Sequence, residues 1–404
     1  MGEDNEKNMD NYNNEVYEIT SWDDIELDPN ILRGIYAIGF ENPSPIQKKS
    51  IKPILLKKDV IAQAQSGTGK TAAFSIGALS MIDMQRKATQ VLVLSPTREL
   101  TIQTASVMTQ LGSMMVDTTD SANGLSIETC FGGYVNDDKH KLDINKNPHV
   151  VCGCPGRVYD MLRRNKISSS DIKLVVLDEA DELLSSGFKE QIHNIFQYFN
   201  NNVQVLLFSA TLPKHVWPII QKITRDPVKI SVKTEQLTLE GISQFFAAVE
   251  DDKQKYATLK DIFSFISISQ CIIYCNSIRR VADLYCAMKE DGFPVCFIHS
   301  EMEKQERDLA FSEFKIGKSR VLISSNLTAR GIDVQQVSTV INFDIPKDVS
   351  TYIHRIGRSG RWGRKGVGIN FITRRDVMKI KEIEEYYSCE IKELPANLDF
   401  IKNI

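Results

Sequence analysis

The sequence predicts an α/β protein of two tandem domains, each a parallel sheet flanked by helices, joined by a short linker. Three observations carry this. The chain has 404 residues, too long for one hydrophobic core. Short β-branched runs alternate with amphipathic stretches of helical period, the pattern of parallel strands joined by crossover helices. That alternation stops once and then begins again.

The first set of runs comprises Val60-Ile61-Ala62, Val91 to Leu94, Val150-Val151, Leu174 to Leu177 and Val205 to Phe208, and places a first domain over residues 21–231. The chain then turns polar through Lys233-Thr234-Glu235-Gln236, so residues 232–243 read as the linker. The second set, Cys271 to Tyr274, Val295 to Ile298, Arg320 to Ile323, Val340 to Phe343 and Gly368 to Ile372, places a second domain over 244–404. Residues 1–20 are rich in Asn, Asp and Glu with few large apolar side chains, and are expected to be disordered. Met115 to Ser126 reads as a polar surface loop with no assignable function.

Composition bounds the class. With 42% hydrophobic and 25% charged residues the chain is an ordinary globular protein. No apolar stretch reaches bilayer length, and the polar, acidic N-terminus does not resemble a secretory signal. Glu6 stands where a myristoylation signal has Ser or Thr. A cytoplasmic location, with a nuclear one also open, and no membrane association are expected. The eight cysteines are scattered, several inside apolar runs, as reduced core thiols are; Cys152 and Cys154 have no partner pair at zinc-site spacing. A net charge of −3 excludes a broadly basic body, so any polyanion must be held by local groups.

Open parallel sheets bind ligands beyond the C-terminal ends of their strands. Here Ala64-Gln65-Ser66-Gly67-Thr68-Gly69-Lys70-Thr71 follows a strand and precedes an apolar helical stretch. Small residues there let backbone N–H groups converge on phosphate oxygens, and the helix N-terminus adds favourable partial charge. Lys70 would bridge the outer phosphates and Thr71 would help hold Mg2+. Ala64 occupies the place of the pattern's first Gly, so a plain Gly-Lys-Thr turn is the alternative. Leu174 to Leu177 then delivers Asp178 and Glu179 to the sheet edge, where an acidic pair is costly unless a cation or a proton transfer uses it. Asp178 suits magnesium and Glu179 suits orienting and deprotonating the attacking water. An acidic helix start is the alternative for this pair. Taken together, loop and acidic pair point to ATP hydrolysis.

Asp178-Glu179-Ala180-Asp181, with Ser209-Ala210-Thr211 downstream and His354-Arg355-Ile356-Gly357-Arg358-Ser359-Gly360-Arg361 near the end, resembles the DEAD-box RNA helicase family over nearly the whole chain. Within it the chain is most similar to the eukaryotic initiation factor 4A subgroup, including the exon-junction helicase. Leu237-Thr238-Leu239-Glu240-Gly241-Ile242 and Asp333-Val334-Gln335-Gln336-Val337-Ser338 carry that likeness. The resemblance implies RecA-like domains, ATP and Mg2+ as cofactors, and RNA-dependent ATP hydrolysis coupled to local unwinding.

It also implies site residues. Phe40 would stack on adenine and Gln47 read its edge, although a core Phe and a helix-capping Gln are the alternatives from the residues alone. Ser66, Gly67, Thr68 and Gly69 would cradle the phosphates, and Asp333 would touch the ribose. Arg358 and Arg361 would act from the second domain as arginine fingers. Asp181, Ser209, Thr211 and His354 would couple the nucleotide to conformational change. RNA would be held by Pro96, Thr97, Arg98, Gly133, Pro155, Gly156 and Arg157 of the first domain and by Asn276, Arg307 and Ser325 of the second. Such contacts read phosphate and sugar, so binding should be blind to sequence but sensitive to the 2′-hydroxyl.

The chain departs from the family pattern at Cys154, Ser300, Lys304 and Ser324-Ser325-Asn326. These changes weaken a donor or remove a charge on the RNA side and bear on unwinding more than on hydrolysis. A monomer is expected, working in translation initiation or mRNA metabolism with scaffold or initiation-factor-type partners. The alternative is an ATP-gated RNA clamp that serves as an assembly platform with little unwinding.

Overall fold

The computed structural model describes residues 18–64, 67–116, 124–132, 147–185, 187–200, 202–232, 242–265, 270–325, 337–359, 366–387 and 389–395. The chain divides into two compact units, Met1–Lys233 and Thr234–Ile404. Among the described residues each holds a seven-stranded sheet in which every strand pair is parallel.

In the first unit the strands are β1 (Val60–Gln63), β2 (Val91–Leu94), β3 (Ile127–Cys130), β4 (Val150–Gly153), β5 (Leu174–Asp178), β6 (Gln204–Ser209) and β7 (Val228–Ser231). Their order is β3-β4-β2-β5-β6-β1-β7. The helices are α1 (Pro29–Ala37), α2 (Pro45–Leu55), α3 (Lys70–Leu79), α4 (Arg98–Leu111), α5 (Pro155–Arg163), α6 (Ala180–Leu183), α7 (Lys189–Phe196) and α8 (Trp217–Ile223). Residues along β5 alternate between two cores: Leu174 and Val176 pack with Phe74, Leu79 and Phe208 on one face, Val175 and Leu177 with Val158, Leu162 and Ile192 on the other. Burial on both faces is why the central strands read as continuous apolar runs.

The second unit contains β8 (Ile242–Ala248), α9 (Asp252–Phe265), β9 (Cys271–Tyr274), α10 (Ile278–Glu290), β10 (Val295–Ile298), α11 (Lys304–Lys315), β11 (Val321–Ser324), β12 (Thr339–Asn342), α12 (Val349–Ile356), β13 (Gly366–Ile372), α13 (Val377–Tyr387) and β14 (Lys392–Glu393). The sheet order is β10-β11-β9-β12-β13-β8-β14. No described helix is long and apolar enough to cross a membrane.

Three details differ from the sequence expectation. Ile242 and Ser243, placed in the linker, begin β8 and pair with Gly366 and Val367; residues 233–241 lie outside the described residues. Glu18, Ile19 and Thr20 fall in the segment expected to be disordered, yet Ile19 is buried and its N–H donates to the Lys48 carbonyl at 3.0 Å. Thr20 adds two bonds to the Asp24 carboxylate, from its N–H and its hydroxyl, each at 2.7 Å, whereas residues 1–17 lie outside the described residues. In the Met115–Ser126 segment Met115 is buried in the core and Leu125 packs against it, with an exposed bridge between Val116 and Gly124, while residues 117–123 also lie outside the described residues.

Candidate nucleotide and RNA site

The phosphate loop rises from β1 and feeds α3. Gly67 and Gly69 have left-handed φ of 81° and 92°, a conformation that costs an L side chain free energy. A Cβ on Gly69 would also lie 2.6 Å from the Gln47 amide nitrogen. Lys70, the first residue of α3, is buried, and its ammonium donates to the Ala64 carbonyl at 2.7 Å. That bond runs back across the loop and holds the cation over it. Ser66 lies outside the described residues; Thr68 and Thr71 bracket the turn into the helix.

β5 ends at Asp178, and Glu179 takes φ 52°, ψ 54° before α6 begins. A left-handed Glu costs about 1–3 kcal/mol, and such strain gathers where a side chain must be aimed. The turn presents two buried carboxylates at the sheet edge, and the Glu179 N–H caps Asp178 Oδ1 at 3.1 Å. Burial, then the neighbouring Glu179 charge, push the Asp178 carboxyl up to about 7, while Lys70 pulls it down. Asp178 Oδ2 is buried with no hydrogen-bond partner among the described residues. A hard oxygen donor left over in this place fits a magnesium ion.

Ser209, Ala210 and Thr211 bind loop and acidic turn into one piece. The Ser209 carbonyl accepts from the Ala64 N–H at 3.0 Å, and its hydroxyl accepts from the Asp181 N–H at 3.4 Å. Thr211 Oγ1 donates to the Asp181 carboxylate at 2.6 Å, and Gln63 Nε2 donates to the Ala210 carbonyl at 3.3 Å. Ser209, Thr211 and Asp181 are all buried. The expected coupling residues of this unit are therefore physically joined.

Gln47 does two things. Its Oε1 accepts from the Ser44 N–H at 2.8 Å, closing a capping box on α2, and its Nε2 donates to the Gly69 carbonyl at 3.2 Å. The helix-capping alternative is thus realised, by an amide that also touches the phosphate loop. Phe40 packs half-buried on the core, and its carbonyl accepts from Trp22 Nε1 at 3.0 Å.

The expected RNA contacts of this unit collect where β2 and β4 end. Pro96 and Thr97 lead into α4, Thr97 accepting from the Leu100 N–H at 3.2 Å and leaving Arg98 in the first turn. Pro155 and Gly156 open α5, and a Cβ built on Gly156 meets nothing within 4 Å. The fold does not require a glycine there. Arg157 bonds Asp160 at 3.0 Å, a carboxylate that also accepts from Arg163 and Arg164. Cys154 Sγ lies 3.6 Å from Thr101 Oγ1. Gly133 lies outside the described residues.

In the second unit His354 and Arg355 are buried on α12, and Arg358 Nε donates to the His354 carbonyl at 3.2 Å. Ser325 follows β11, its carbonyl accepting from Ser324 Oγ at 2.8 Å, and Arg307 sits in the first turn of α11. The Asn276 amide is taken up at both ends inside the protein: Nδ2 donates to the Ile345 carbonyl at 2.7 Å and Oδ1 accepts from Arg355 at 2.8 Å. Asp333 and Arg361 lie outside the described residues. Sequence reasoning passed over Arg355, Asp344 and Ser44. The signal for Asp344 was present, a charged residue just after an apolar strand; Arg355 looked like its neighbours at helical spacing.

Parallel sheets with a phosphate loop on one strand and a strained acidic turn on another define a nucleoside triphosphatase built from tandem α/β units. Residues 44–217 match the DEAD/DEAH box helicase model, and residues 254–363 match the helicase conserved C-terminal domain. The chain belongs to the DEAD-box family of ATP-dependent RNA helicases. It is 50% identical to the ATP-dependent RNA helicase FAL1 of Mycosarcoma maydis, over 94% of each chain. It is 49% identical to eukaryotic initiation factor 4A of Caenorhabditis elegans, over 94% of this chain and 92% of the relative. Among solved structures, S. cerevisiae Dbp5 bound to RNA and ADP BeF3 aligns with a TM-score of 0.86 at 33% identity, over 95% of this chain and 98% of that one. Mss116p bound to ssRNA and AMP-PNP aligns with a TM-score of 0.83 at 27% identity, over 95% of this chain and 81% of that one.

Proposed function

We propose that this helicase closes on RNA when it holds ATP, bends the strand and opens short duplexes locally, and that hydrolysis with phosphate loss releases the RNA. The observation that carries this is the strained Glu179 turn, which spends folding energy to aim a buried carboxylate beside Asp178 and Lys70. A residue held that way suits a general base for water. Asp178 and Thr71 would hold Mg2+, which when bound neutralises phosphate charge. Lys70 and the loop N–H groups hold the outer phosphates in place, and the Ser209–Asp181–Thr211 bonds make loop and acidic turn respond as one.

Relatives named for translation initiation support a role there or elsewhere in mRNA metabolism. Dbp5 also occurs bound to the protein partner Gle1, which supports scaffold-type partners for this chain too. RNA is proposed to be held through phosphate and sugar by the α4 and α5 starts. Phosphate release from ATP is measured with and without single-stranded RNA, beside unwinding of a short duplex. RNA should raise release at least tenfold and the duplex should open. Tight ATP-dependent RNA binding with slow release and no strand separation would identify a clamp instead.

A further inference from the structure

One polar cluster in the second unit is built more heavily than its surroundings require. Arg355 is fully buried. Its guanidinium donates to Asn276 Oδ1 at 2.8 Å, to Asn342 Oδ1 at 3.1 Å and to the Asp344 carbonyl at 2.7 Å, and lies 5.1 Å from the Tyr274 ring centroid. Asp344 takes the Asn276 N–H at 3.0 Å, Arg280 Nε at 2.7 Å and Lys255 Nζ at 3.3 Å. Arg280 in turn grips Asp252 with both ends of its fork. A buried guanidinium bonded largely to neutral groups is expensive, and a long apolar side chain would fill the same volume at less cost. What the apolar side chain cannot do is fix three separate acceptors in one plane.

Those acceptors lie on different elements. Asn276 follows β9, Asn342 ends β12, Asp344 lies just beyond it, and Arg355 stands on α12 between His354 and the turn carrying Arg358. We propose that Arg355 is a positioning residue: it locks Asn276 and the end of β12 to α12, so the RNA side and the phosphate side of this unit move as one body. Asn276 then serves RNA binding by holding backbone in place through one donor and one acceptor of its amide, while the rest of that exposed side chain stays open at the surface. This inference rests on the ATP-gated RNA binding proposed above.

The test uses the full chain with a fluorescent oligouridylate and magnesium. RNA affinity is measured with and without a hydrolysis-resistant ATP analogue, and the ratio of the two is the coupling factor. In Arg355→Lys, which keeps the charge but not the fork, the factor should fall at least tenfold. RNA affinity without nucleotide, and analogue affinity without RNA, should stay within threefold. Asn342→Ala, which removes another acceptor of the same guanidinium, should lower the factor similarly, and combining the two should add little, because they break the same link. Should Arg355→Lys fail to fold, Asn342→Ala alone carries the test. A wild-type chain with no coupling overturns the proposed function and this inference together. Wild-type coupling that survives in both variants overturns this inference alone. So does a nucleotide-free RNA affinity that drops in step with the coupling factor, which would mark a direct RNA contact.

Discussion

Glu179 is the residue on which most chemistry converges, and its two costs can be separated. Replacing it with Gln keeps size and shape but removes the base, so hydrolysis should fall about 100- to 10,000-fold while ATP still binds; single-turnover phosphate release checks this. The same change removes the charge that helps hold the Asp178 carboxyl near 7. In the wild-type chain Asp178 keeps its proton at pH values where the unfolded chain has lost its own. Its contribution to stability is therefore full below the usual carboxylate range and is lost as pH rises toward about 7. In Glu179→Gln that loss should be smaller and should occur at lower pH, as thermal melts from pH 4 to 8 would read. The placing of Asp178 and Glu179 at the sheet edge was legible because an apolar run ended in acid. The left-handed turn was not, since nothing in a Glu announces positive φ. Arg355 and Arg358 looked alike in sequence, and burial alone tells them apart.

At the scale of elements, α5 offers a clean separation of fold from function. Gly156 sits in its first turn with open space where a Cβ would go. Gly156→Ala should leave the melting temperature unchanged or raise it, since Ala in a helix is favoured over Gly by about 0.5–1 kcal/mol. If RNA backbone packs against that turn, RNA affinity with bound ATP analogue should fall at least threefold, measured by anisotropy on the same samples. An unchanged affinity would remove Gly156 from the RNA surface. Central strands were readable because β2, β5 and β9 are buried on both faces and so run apolar without a break. β3, β7, β14 and the half-exposed β8 escaped notice for the opposite reason. Ile-Glu-Thr-Cys, Val-Lys-Ile-Ser and the pair Lys392–Glu393 lie toward sheet margins, where half the side chains meet solvent and the apolar signal thins.

For the whole molecule, two compact units make two separate melting events the expected behaviour. Calorimetry should resolve two transitions, or one with a van't Hoff enthalpy well below the calorimetric value. Adding ATP analogue at 100 times its dissociation constant should stabilise the unit carrying Lys70 and Asp178 by about 2.7 kcal/mol. A single cooperative transition with equal enthalpies would show that the units do not melt independently. The division into two was visible as a pattern that stopped and restarted. The order of strands within each sheet was not, because parallel crossovers bring together segments far apart in sequence, such as β1 with β6, and periodicity records only local spacing.

The doubled duty of Gln47 bears on how such a site can change over generations. One amide oxygen closes the cap of α2 and its nitrogen ties that helix to the phosphate loop. Whatever ligand a lineage came to prefer, the helix and the loop would still favour an amide here. Glu would keep the oxygen and lose the donor; Ala would lose both. Position 47 is therefore constrained by the fold itself, before any ligand imposes a preference on it.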